Sequence, residues 1–200
     1  MSSRLGARLA ALLVPVTLLL PVAAHAEKVV TQDSVGDVVT LVDGSMELED
    51  AVPAPGYQGV DVVRTAVAHG ANRLRLTVGF RALEKDPFQF TVLRVSTPRG
   101  PFDVVVERLG GKPISSIERR GKTVECGALK SKVDRGAGTL TTSLPTACLD
   151  APRWVQVGVG VVGIAADQDQ PELAALYADD AHRDGTVRDA LAKGPKVFRG

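Results

Sequence analysis

Two short acidic passages hold the side chains best suited to chemistry in this sequence: Asp33-Ser34-Val35-Gly36-Asp37 near one end and Asp179-Asp180-Ala181-His182-Arg183-Asp184-Gly185 near the other. Aspartates in Gly-containing turns offer the hard oxygen ligands that calcium takes. The run Asp180-x-His182-x-Asp184-Gly185 imitates the first half of an EF-hand loop, but its twelfth position is Leu191, where a bidentate Glu is required, so an EF-hand is excluded. Two looser calcium sites stay open, one on Asp179, Asp180 and Asp184, the other on Asp33 and Asp37. The plain alternative is that each Asp accepts hydrogen bonds from neighbouring backbone N–H groups in its turn and holds no metal. No cofactor other than calcium is implied.

Nucleophilic hydrolysis has little to work with. Outside the first 26 residues the histidines are His69, in a turn pattern, and His182, in a polar tail, and no Gly-x-Ser-x-Gly elbow places a serine beside either. Both read as solvated loop residues. Glu47, Glu49 and Asp50 supply the carboxylates that a glycosidase needs in pairs, yet three acids within four residues read first as a solvated charge run. No residue is assigned a catalytic role. Zinc is set aside, because two scattered histidines and two cysteines give no ligand spacing. Stacking on a sugar ring needs exposed aromatics, and the candidates are few: Tyr57, Trp154 and Tyr177, with Phe80, Phe88, Phe90 and Phe102 in strand patterns suited to a core.

The compartment constrains what these residues can do. Arg4 and Arg8, the apolar run Leu9 to Leu20 and the small-x-small sequence Ala24-His25-Ala26 form the three-part pattern of a cleaved secretory peptide. The domains expected are thus a signal peptide at 1–26 and one mature domain at 27–200, secreted or held at the cell envelope, with no stable membrane insertion after cleavage. Loss of Arg4 and Arg8 takes the basic residues from 24 to 22 against 23 acidic ones, so the mature chain is near neutral and nucleic acid is not an expected partner. The scarcity of Ile, Asn and Lys beside abundant Val and Arg points to a GC-rich bacterial genome. In an exported chain the two cysteines, Cys126 and Cys148, are expected to form a disulfide.

Period-2 alternation dominates the mature sequence and makes about nine short strands, besides one long central strand, the expectation. These are Val29 to Thr31, Val38 to Val42, Val60 to Ala68, Arg73 to Phe80, Phe88 to Ser96, Phe102 to Leu109, Ile114 to Arg119, Thr123 to Val133, Thr139 to Leu144 and a long central strand from Trp154 to Ile164. A hairpin centred on Ala137, between Gly136 and Gly138, would set Cys126 opposite Cys148. From Asp167 the chain reads as an irregular tail with a short helix at Pro171 to Ala178. The fold class is all-β: an antiparallel β-sandwich with jelly-roll-like connections.

Asp33-x-x-Gly36-Asp37-Val38, the Pro-rich loop, Val60-Asp61-Val62 and Arg73-Leu74-Arg75-Leu76-Thr77-Val78 together resemble the opening of secreted β-sandwich modules akin to carbohydrate-binding module family 9 and the DOMON domains. The Cys-hairpin-Cys-Leu and Pro-Arg-Trp-Val passages are similar to an exported bacterial family of unassigned function. The first likeness implies a sandwich that binds carbohydrate; the second implies no activity. The function expected is a non-catalytic binding or interaction module at or beyond the envelope, its partner a carbohydrate or another envelope protein. Its rivals are a hydrolase of envelope polymers or peptides using loop carboxylates, and a calcium-stiffened structural envelope protein.

Overall fold

The computed structural model describes residues 26–41, 48–85, 88–167, 170 and 173–200. The proposed cleavage site is only partly within them: Ala24 and Glu47 lie outside the described residues, and Ala26 is an exposed residue just before the first strand. Among the described residues no helix is long and apolar enough to cross a membrane.

Among the described residues fourteen strands build two antiparallel sheets. In chain order they are β1 (Glu27–Gln32), β2 (Val39–Thr40), β3 (Val52–Pro53), β4 (Val62–His69), β5 (Arg73–Phe80), β6 (Phe88–Thr97), β7 (Gly100–Leu109), β8 (Ile114–Arg119), β9 (Lys122–Thr123), β10 (Lys130–Asp134), β11 (Thr139–Pro145), β12 (Trp154–Ala166), β13 (Ala174–Asp180) and β14 (Lys196–Phe198). The smaller sheet has the order β1-β4-β5-β11-β10; the larger runs β3-β2-β13-β12-β6-β7-β8-β9, with β14 also paired to β12. The chain therefore crosses between sheets after β1, β3, β5, β9 and β11. Alternating Val, Leu and Phe side chains put Leu74, Leu76, Val78 and Leu140 of one sheet against Leu93, Val104, Val106, Val157 and Val159 of the other. The chain is an all-β antiparallel sandwich, as its alternation predicts.

The central strand is β12. Its edge toward β6 pairs from Gln156 to Ile164, while on the opposite edge β13 covers Gly160 to Ala166 and β14 covers Trp154 to Gln156. Between those two partners, Ala181 N–H donates to Val159 O and Gly194 N–H to Val157 O, at 3.0 and 2.9 Å. Val155, Val157, Val159 and Val161 face the core; on the other face, a Cβ at Gly158 would lie 2.6 Å from Ala192 O, so glycine is what lets the chain after β13 lie flat on the sheet.

Three local readings of the sequence are corrected. Residues 174–180 form β13 rather than the end of a helix over Pro171 to Ala178, because the edge of β12 offers a ladder and a core position for Tyr177 that a short helix could not match. The segment 123–133 is not one strand: β9 ends at Thr123, and a turn closed by Leu129 N–H on Cys126 O precedes β10. Phe88 is 47% exposed rather than core.

The disulfide between Cys126 and Cys148 is present, with Cα atoms 5.8 Å apart, but it is not a cross-strand pair. The β10–β11 ladder runs from Lys130↔Ser143 to Asp134↔Thr139, one residue off a hairpin centred on Ala137, because Gly138 N–H closes a four-residue turn onto Arg135 O. Both cysteines lie beyond the end of that ladder, Cys126 in the β9–β10 connection and Cys148 in the 3-10 turn Thr146–Leu149.

Candidate functional site

The two acidic passages, 150 residues apart at the hydrogen bond from Ser34 Oγ to Asp184 Oδ1, are brought to one place by the sheets. Asp33 and Asp37 occupy the crossing from β1 to β2. Asp61 precedes β4, and Asp179 is the penultimate residue of β13. Asp184 lies in the turn that comes after it. The pairing of β2 with β13 and of β1 with β4 fixes this convergence.

Each of the inner carboxylates is half-satisfied. Asp61 Oδ2 accepts from Gly36 N at 2.9 Å and from Arg81 Nη1 at 3.3 Å, Asp179 Oδ2 accepts from Val62 N at 2.7 Å, and Asp37 Oδ2 accepts from Gly185 N at 3.2 Å. Gly36 has φ of +78°, a left-handed turn that aims its N–H at Asp61 and that favours glycine. The second oxygen of each, Asp61 Oδ1, Asp179 Oδ1 and Asp37 Oδ1, is buried and has no hydrogen-bond partner within the protein, and the same is true of Asp33 Oδ2 and Asp180 Oδ1. Asp61 is 0% and Asp179 1% exposed. A buried carboxylate oxygen without a partner costs more than an ordinary unmade hydrogen bond.

The electrostatics arise from that geometry. Burial, then the Asp37 carboxylate, pushes Asp33 up to about 7; burial, opposed by the Val62 N–H and reinforced by Asp37, Asp33 and Asp61, pushes Asp179 up to about 8. Asp37 is raised as well, chiefly by burial. Asp33, Asp37 and Asp184 form one set, and Asp37, Asp61 and Asp179 another, in which one oxygen from each carboxylate lies within 4.8 Å of the others. Two oxygens on opposite sides of a calcium ion at ~2.3 to 2.6 Å stand about 5 Å apart, so both sets have the span of a calcium shell.

The sequence offered Asp33 and Asp37 or Asp179, Asp180 and Asp184 as alternative sites; four of these belong to one cluster. Asp180 is the exception, since the next side chain along a strand points the other way: its Oδ2 takes Arg183 Nη1 at 2.9 Å and Ala192 N at 3.0 Å. Asp61 was missed as a member of the cluster. Its signal was a single Asp between two valines at a strand entry, where solvent exposure is hard to reconcile with the pattern.

The aromatic candidates do not form a platform. Tyr177 is 1% exposed and stacks on Tyr57 with ring centroids 4.0 Å apart, so each covers a face of the other. Trp154 is half-buried with Lys196 Nζ 4.6 Å above its ring. Of the histidines, His69 is not a solvated loop residue, whereas His182 does lie in the turn after β13, partly exposed. His69 closes β4 at 0% exposure, with Nδ1 donating to Val197 O at 3.2 Å, and burial lowers its pKa; His182 is half-buried and also lowered. A further feature invisible to linear reading is a row of exposed apolar side chains across three strands, Ile164 opposite Phe88 and Phe88 opposite Leu109.

What fold and cluster define is a class: a disulfide-linked antiparallel sandwich with five carboxylates gathered where two crossings meet the end of β13. No family model, curated protein or solved structure is similar enough to the chain to place it more narrowly.

Proposed function

We propose that the chain is an exported, non-catalytic β-sandwich module whose loops are held in place by calcium and which acts as an interaction element at or beyond the cell envelope. The observation that carries this reading is the convergence of buried carboxylate oxygens without protein partners at Asp33, Asp37, Asp61 and Asp179. A hard divalent cation satisfies such oxygens and the repulsion between them at once. Asp33, Asp37 and Asp61 are also among the residues that resemble carbohydrate-binding sandwiches, which supports a likeness of loop architecture more than of a sugar platform. The disulfide suits an oxidising compartment.

The hydrolase reading is weaker. A catalytic acid pair flanks substrate in a cleft, whereas Asp61 and Asp179 lie beneath the surface, where no polymer reaches them.

A thermal melt of the chelator-stripped protein tests the proposal. At calcium about a thousandfold above its Kd the gain is about 4 kcal/mol, a rise in Tm of about 10 °C for a domain of this size. An unchanged Tm at millimolar calcium overturns it.

A further inference from the structure

We propose that the acid cluster holds two calcium ions bridged by Asp37, an inner ion on Asp37, Asp61 and Asp179 and an outer ion on Asp33, Asp37 and Asp184. The two-ion assignment rests on the cluster being a calcium site at all.

Three independent observations converge on this. The first is geometric: two distinct sets of oxygens meet the same 4.8 Å limit, and Asp37 is the one residue common to both. A carboxylate has two oxygens and about four lone-pair sites, so one Asp can serve two ions. The second is charge. Of the five carboxylates only Asp61 has an ion-pair partner among the described residues, the guanidinium of Arg81 at 3.3 Å, while Asp180 is already paired with Arg183 at 2.9 Å. That leaves four negative charges, the charge of two divalent ions; a single ion would leave two carboxylate charges uncompensated in a largely buried place. The third is the set of unpartnered oxygens. They fall in both groups, on Asp61 and Asp179, which belong to the inner set alone, and on Asp33, which belongs to the outer set alone. Asp61 and Asp179 are 0% and 1% exposed, so bulk solvent does not reach their oxygens.

The two positions differ in access. The inner set is enclosed between the start of β4 and the end of β13. The outer set includes the exposed Asp184 and opens on a shallow depression of about 660 Å³ lined in part by Thr31, Gln32, Ser34, His182 and Lys193. Calcium takes six to eight oxygens, so the outer ion keeps positions for water and exchanges with solvent, while the inner one is locked in the fold.

The test is a count. The folded chain, stripped with a chelator, is dialysed to equilibrium against calcium, and bound metal per chain is measured for wild type, Asp184→Asn and Asp61→Asn. Two ions are expected for wild type. One is expected for Asp184→Asn, whose exposed position leaves the fold undisturbed, so this variant stays informative even if Asp61→Asn does not fold. A folded Asp61→Asn should keep one ion at most. A wild-type count of one overturns the two-ion inference and leaves calcium binding standing; a count of zero overturns both. Two ions retained by Asp184→Asn overturns the assignment of the outer site.

Discussion

Two regions of the sandwich solve the same problem in different ways. The disulfide joins the β9–β10 crossing to the turn that follows β11, and the acid cluster joins the β1–β2 and β3–β4 crossings to the end of β13. Each ties down two crossings where the chain leaves one sheet for the other, which are the places that pairing within a sheet cannot hold. The disulfide spans 22 residues and needs nothing further once oxidised. The acid cluster spans most of the chain and, with protein groups alone, is repulsive. One clamp is complete in itself and the other calls for a counter-charge from outside, so the stability of the first depends on redox state and that of the second on cation supply and pH.

The comparison breaks most visibly if the disulfide is removed. Reduction, or Cys126→Ser with Cys148→Ser, should lower stability by about 3 kcal/mol, read as a loss of Tm, on the loop-entropy account of a crosslink of this span. The calcium-induced rise in Tm should survive, since the two clamps share no residue. If reduction abolishes it, the two regions are one cooperative unit. A smaller effect of opposite sign is expected at the other clamp: in chelator above about pH 8, where Asp179 is ionised, Asp179→Asn should raise stability by about 1 kcal/mol, because it removes a charge from a buried repulsive set. The same substitution should cut the calcium response. A loss of stability in chelator as well would mean that Asp179 is held by protein contacts alone.

The least of the expected effects is on pH. Asp33 and Asp179 have folded pKa values of about 7 and about 8, above the ~3.9 of an unfolded Asp, so the folded state holds more protons across that interval and the stability these groups contribute is lost as pH rises. His69, lowered by burial, acts in the opposite sense below about 6.5, where the unfolded chain takes up a proton that the folded one resists. Between pH 6.5 and 8, then, the chelated protein should lose Tm, and saturating calcium should abolish the loss. A chelated Tm that is flat or rising over that window would count against the repulsive cluster.

Much of the fold is legible in the sequence, because an alternating face repeats every second residue and needs no partner to be seen. Arg73–Phe80 and Ile114–Arg119 are delimited to the residue, and the long Val and Gly strand is central as its pattern implies. The misread elements are those decided by distant pairing. Residues 174–180 take strand form from β12, and the hairpin register shifts by one because a four-residue turn replaces Gly-Ala-Gly. The disulfide was legible while its geometry was not, since cysteine count and compartment imply a pair without placing it on a ladder. The acid cluster was half legible. Asp33, Asp37, Asp179 and Asp184 stand out as turn acids, but nothing local reveals that two turns 150 residues apart become one site or that Asp61 lies between them.

The chain between β13 and β14 has one more consequence. Among the described residues, over Val157 to Val159 the edge of β12 is closed only by single backbone bonds from Gly194 and Ala181, with Ala192 tethered to Asp180. An open edge on a strand this rich in valine is a template for pairing with other molecules. Those few residues therefore cover that stretch of edge, and proteolysis within 181–195 is expected to expose it, read as a rise in light scattering by the nicked protein; an unchanged signal would count against this role.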